Sequence, residues 1–67
     1  MPDLSDRQRE VLAELPDTTP GVTRAAVGEK LGIKPTTVEY HQDKLEDKGY
    51  VFDYERDGNT AYWWIAK

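Results

Sequence analysis

Cysteine is absent from this 67-residue chain, and histidine occurs once. Without thiols there is neither a disulfide framework nor a thiolate metal site, so packing alone must hold the fold. A reducing, cytoplasmic setting is compatible with that lack. No apolar run approaches the roughly 20 residues that cross a bilayer. The opening MPDLSDRQRE has neither the basic start nor the apolar stretch of a secretion signal. The expectation is a soluble, unexported, cytoplasmic protein that does not engage a membrane. Length is scarce too: it allows one small domain, or a piece of a longer chain, with a thin core and no room for a walled enzyme cleft. A nucleophile beside a base, a phosphate loop and a paired acid site are all missing. The chain is therefore expected not to be an enzyme, with no catalytic residue, cofactor or metal.

Positive charge is also in short supply, with nine Lys and Arg against 13 Asp and Glu, a net charge of −4. Duplex binding draws most of its affinity from neutralised phosphates, so an acidic balance ordinarily argues against it. The acid is unevenly placed, however. Residues 1–22 set Arg7 and Arg9 against Asp3, Asp6, Glu10, Glu14 and Asp17, for a net −3, and residues 49–67 carry −1. Residues 23–48 hold five basic and five acidic side chains. The middle of the chain is neutral.

What is present is a clear order of elements. In LSDRQREVLAELP, Ser5 and Gln8 form a capping-box pattern, Val11, Leu12 and Leu15 share a face, and Pro16 stops a helix over about 5–15. After the turn-rich PDTTPGV, Thr23 can cap a short helix over about 24–31 that buries Val27 and Leu31 and ends at Gly32. Pro35 suits a first helical position, giving a third helix over about 35–48 that stops at Gly49. Val38, His41 and Leu45 share one side of it, and Thr36, Glu39, Tyr40, Asp43 and Asp47 the other, with Thr37 and Lys44 at the margin. From Tyr50 the period alternates. YVFDYER and TAYWWIA read as aromatic strands within 50–66, joined at DGN, where Gly58 and Asn59 tolerate positive φ. No repeat or low-complexity tract interrupts residues 1–67, which read as a single domain.

Helix, short helix, tight turn, longer helix and hairpin is the order of a winged helix-turn-helix, an α+β fold of three helices followed by a two-stranded wing. Val27, Gly28, Leu31, Gly32, Ile33 and Val38 match the apolar and small positions of its helix-turn-helix unit. On this pattern Gly28 lets the third helix cross close to the second, Gly32 allows the turn, and Ile33 plugs the angle. TTVEYHQDKLEDKGYV resembles the recognition helix and strand entry of MarR and ArsR types of bacterial and archaeal regulator. The resemblance implies binding of double-stranded DNA by a small transcriptional regulator, with the third helix in the major groove and the wing on the flanking backbone. Glu39 and Asp43 depart from the Arg, Ser or Lys common at their positions, and Gln42 from the Leu common at its own. The acidic surface also resembles proteins of salt-accumulating halophilic archaea. In molar potassium counterion release contributes little, so extra basic charge would add little affinity.

On that resemblance Thr36, Thr37 and Tyr40 lead into the groove, where hydroxyls suit bases or phosphates; the plain alternative is tolerated surface residues. Glu39 suits a cytosine amino group, or is simply a solvated charge. Arg24, Lys34 and Lys44 flank that face as phosphate partners or as ordinary surface cations. Arg56 and Asn59 lie at the hairpin tip, where a wing meets backbone or minor groove. His41 lacks any metal-ligand spacing around it and is expected to pack with one ring nitrogen hydrogen-bonded. Alternation sends Ala61, Trp63 and Ile65 one way and Tyr62, Trp64 and Ala66 the other. By family analogy the Trp63 set packs on the helices. Tyr62 and Trp64, together with Tyr54, then form an apolar interface patch or merely cover a thin core. Regulators of this type usually dimerise through extra terminal helices; none follows Lys67, so a homodimer would use the first helix or the ribbon aromatics. The rival reading is a protein-interaction module. In it the stripe Glu39, Asp43, Glu46 and Asp47, or the exposed aromatics, meets a partner and no DNA is bound.

Overall fold

Helix α1, Asp6–Glu14, starts where a reciprocal cap closes. In the computed structural model, which describes residues 4–66, the Gln8 amide donates to Ser5 Oγ at 3.2 Å and the Ser5 amide to Gln8 Oε1 at 3.1 Å. Two of the four orphan amides of a helix start are thereby occupied. Lys48 Nζ also donates to Gln8 Oε1, at 2.9 Å, tying the start of α1 to the end of the third helix. Helix α2, Arg24–Leu31, is capped by Thr23, whose Oγ1 accepts from the Ala26 amide at 3.0 Å, and it ends at Gly32 with φ at +72°. Pro35 opens α3, Pro35–Asp47, in a first turn that needs no proline N–H.

The turn between α2 and α3 closes through the Ile33 amide, which donates to the Gly28 carbonyl at 2.8 Å. A Cβ on Gly28 would stand 2.5 Å from the Ile33 carbonyl oxygen. Gly28 is needed, but for a different neighbour than the sequence suggests: the turn backbone approaches it, not the third helix. Val11, Leu15, Val27, Val38 and Leu45 are buried, and Leu4, Leu12, Val22, Leu31, Ile33, Tyr50, Phe52, Trp63 and Ile65 pack around them. The buried side of α3 is Val38, Gln42 and Leu45, whereas His41 is only half-buried.

Strands β1, Phe52–Asp57, and β2, Thr60–Ile65, pair antiparallel with Phe52 opposite Ile65 and Tyr54 opposite Trp63. Their two-residue loop takes its positive φ at Gly58 alone, +64°; Asn59 stays on the ordinary side, as in hairpins with glycine at the first central position. A further pairing has no periodic signature. The Val22 amide donates to the Trp63 carbonyl at 2.8 Å and the Trp63 amide to Val22 at 2.7 Å, so the loop before α2 flanks β2 as a rudimentary third strand. A Cβ on Gly21 would lie 2.1 Å from the Trp63 carbonyl oxygen, which explains the glycine beside this bridge. Three helices and a two-stranded antiparallel sheet thus make a winged helix-turn-helix.

Candidate nucleic-acid interface

Because Val38, Gln42 and Leu45 fix one side of α3 in the core, the opposite side is exposed by helical geometry. Thr36, Glu39, Tyr40, Asp43, Lys44 and Asp47 are all exposed there, and Thr37 is half-buried. Tyr40 is 56% exposed, with Lys44 Nζ 5.4 Å from its ring centroid. Lys34 is exposed just before the helix and lends its backbone, not its side chain, to the cap: its carbonyl accepts from Thr37 at 2.9 Å and Val38 at 3.1 Å.

Arg24, at the start of α2, has several partners already. Its Nε donates to Gln42 Oε1, its Nη1 lies 3.4 Å from Glu39 Oε1, and its guanidinium carbon lies 4.1 Å from the Trp63 ring centroid. Trp63 in turn stacks on Tyr54 with centroids 4.7 Å apart and planes 29° from parallel. One residue thus links α2, α3 and the hairpin. Between the start of α2 and the hairpin runs an open cleft of ≈ 590 Å³, lined by Thr23, Arg24 and Ala25 on one wall and by Tyr54, Arg56, Asn59 and Trp63 among others on the opposing one. Three of the sequence-derived DNA contacts, Arg24, Arg56 and Asn59, share this cleft with the interface candidate Tyr54, while Thr36, Tyr40 and Lys44 occupy the helix face.

The ribbon patch is redrawn. Tyr54 is directly opposite Trp63, so it belongs to the helix-facing side and is separated by the sheet from Tyr62 and Trp64. On the outer side Tyr62 is paired with Glu55 and Trp64 with Asp53, so each ring has an acidic residue as its cross-strand neighbour. Tyr62 is exposed and Trp64 half-buried.

His41 also differs from expectation. Its Nδ1 is buried with no hydrogen-bond partner among the described residues, and its ring meets Tyr40 edge-on at 5.5 Å. Burial, and then the positive charge of Arg7, push its pKa below the ordinary histidine value. Arg7 does not bond to the ring: its Nη1 reaches Glu10 Oε2 at 3.2 Å and the Leu31 carbonyl at 3.3 Å. Among the described residues no three His, Cys, Asp or Glu side chains gather where they could hold a metal. Nor is any described helix long and apolar enough to cross a membrane.

What sequence reasoning missed here is Gln42. The spacing from Val38 to Gln42 to Leu45, four residues and then three, is that of one helix face, so its burial was open to detection; polarity disguised it. The meeting of Arg24 with Trp63 had no local signal. Comparison with known proteins finds no match among curated proteins or solved structures. Residues 4–51, the three helices and the entry to the hairpin, match the family described as winged helix-turn-helix DNA-binding. With the hairpin completing the wing beyond that match, the chain belongs to the winged helix-turn-helix DNA-binding family.

Proposed function

We propose that this domain binds duplex DNA as a small cytoplasmic transcriptional regulator of the MarR or ArsR kind, with α3 entering the major groove and the hairpin along the flanking backbone. The observation that carries the reading is the division of α3. One face is locked into the core by Val38, Gln42 and Leu45, and the other presents Thr36, Glu39, Tyr40 and Lys44 to solvent. A helix held in this way can place side chains against base edges without giving up packing. Further support comes from the cleft between α2 and the hairpin, which brings Arg56 and Asn59, side chains able to meet phosphates, across from the start of α2.

The acid excess is consistent with the same reading when its location is considered. Asp6, Glu10 and Glu14 lie on α1 and Asp53 and Glu55 on β1, outside α3, while Asp57 stands at the hairpin tip and Glu39, Asp43 and Asp47 belong to the charge-balanced segment 23–48. In the salt-rich cytoplasm of a halophilic archaeon these carboxylates would keep the surface hydrated, and binding would rest on shape, hydrogen bonds and apolar contact.

The test is a backbone-amide NMR titration with a mixed-sequence duplex at low and at molar KCl. Shifts concentrated at residues 34–44 and 56–60 in both salts are expected. Amides that stay still in both would refute the groove-binding role of α3.

A further inference from the structure

Gln42 is an unusual residue to find 1% exposed between Val38 and Leu45 on the core side of α3. Its Nε2 is buried with no hydrogen-bond partner among the described residues, a desolvation that an apolar side chain of similar size would avoid. What Gln42 does supply is Oε1, which accepts from Arg24 Nε. Turning the amide over would set donor against donor, so its orientation is fixed by Arg24. Trp63 holds the same guanidinium at 4.1 Å through its ring. Arg24 therefore has little freedom left, and its side chain is only 26% exposed.

The fixed guanidinium presents Nη1 to Glu39 Oε1 at 3.4 Å, while the Glu39 side chain stays 52% exposed on the outer face of α3. Glu39 Oε2 makes no hydrogen bond or ion pair among the described residues. A lone carboxylate on this face would be repelled by phosphates. Paired with a braced arginine, its charge is compensated locally and its second oxygen remains available. A carboxylate can only accept. In the major groove guanine and thymine offer acceptors, adenine sets its amino group beside the N7 acceptor, and cytosine offers an amino donor alone.

We propose that Glu39, oriented by Arg24, selects cytosine at one position of the bound duplex, with Gln42 and Trp63 as positioning residues that act through Arg24. The assignment rests on the reading of α3 as the groove-entering helix. It also accounts for two of the three departures from the usual recognition-helix pattern: the acid at position 39 reads the base, and the glutamine at position 42 holds the group that orients it; Asp43 has no part in it.

The experiment is selection from a duplex pool with a randomised central segment, using the 67-residue chain and its E39Q, E39A and Q42L variants. The bound fractions are sequenced and unfolding midpoints measured alongside. The wild-type chain is expected to enrich cytosine at one position by about fivefold or more. E39Q should replace that preference with adenine, whose N6 and N7 suit an amide, and E39A should flatten the position. Q42L should keep or raise the midpoint, since it removes an unsatisfied donor, yet weaken the cytosine preference. A lowered midpoint with the preference intact would make Gln42 a core residue only and remove its positioning role. If the wild type selects a site and E39Q and E39A select the same bases at every position, the Glu39 assignment falls while groove binding by α3 stands. Retention of duplex with no base preference would likewise remove the Glu39 assignment. Silent amides in the NMR titration would remove both readings together.

Discussion

Tyr40 and Thr36 stand one helical turn apart on the exposed face of α3, and neither belongs to the hydrophobic core. Replacing both with alanine should leave the unfolding midpoint nearly unchanged, since surface substitutions of this kind usually stay within about 0.5 kcal/mol. Duplex affinity should fall by about tenfold or more, the scale of one or two lost base or phosphate contacts. Fluorescence anisotropy against a labelled duplex measures it, and equal affinities would take both residues out of the interface. His41, on the inner margin of the same helix, governs a different observable. Burial and Arg7 lower its pKa in the folded state, so the unfolded chain binds a proton more readily. Its stabilising effect is complete above the ordinary histidine value of about 6.5 and is lost as pH falls from there toward the folded value. Thermal midpoints measured from about pH 7.5 down to 5.5 should therefore decline, ahead of the carboxylate range. The slope should be smaller in His41→Gln; an equal slope in both proteins would assign it to other groups.

At the scale of elements, the helix-turn-helix angle depends on Gly28. Alanine there would gain helix propensity of about 1 kcal/mol. Its Cβ, however, would sit 2.5 Å from the Ile33 carbonyl oxygen, a backbone atom that cannot rotate away. Overpacking of this sort costs about 1–3 kcal/mol, so the clash wins and Gly28→Ala should lower the midpoint by several degrees. A midpoint at or above the wild-type value would show that the turn can yield. Much of this architecture is legible in the sequence because its signals are local. Ser5 with Gln8, Thr23 and Pro35 each announce a helix start within a few residues, and the helices begin there. The alternation of β2 likewise turns Trp63 toward the core, where it meets Arg24 and Tyr54. Contacts made between distant segments are not legible. Val22 pairs with Trp63 through backbone atoms that carry no residue preference, and the position of Tyr54 depended on a register that alternation along one strand does not fix. Of the candidate interface, the face of α3 followed from periodicity. The brace of Gln42, Arg24 and Trp63 required knowing which element lies beside which.

For the whole molecule the governing quantity is a net charge of −4 on 67 residues. The ion pairs Arg7–Glu10 and Lys30–Glu14 lie on the surface at 3.2 and 3.7 Å, where such pairs contribute about 0–1 kcal/mol. They do not offset the mutual repulsion of the remaining carboxylates, which resists compaction. At 1 M salt the screening length is about 3 Å, shorter than the spacing of most surface charges, so the repulsion fades while the buried core is unaffected. On the salt-adapted reading the chain should be more stable in molar KCl than in dilute buffer by about 1 kcal/mol, a midpoint rise of roughly 4–8 °C for a domain of this size. Repulsion and a general salting-out effect predict different behaviour in a variant with less acid. Asp53→Asn with Glu55→Gln, on the outer side of the hairpin, removes two charges away from α3 and should already be more stable in dilute buffer, with a smaller gain from KCl. If the variant and the wild type gain equally, salting-out is responsible and the acid has no part in it. If neither gains, the acidic surface is not an adaptation to salt.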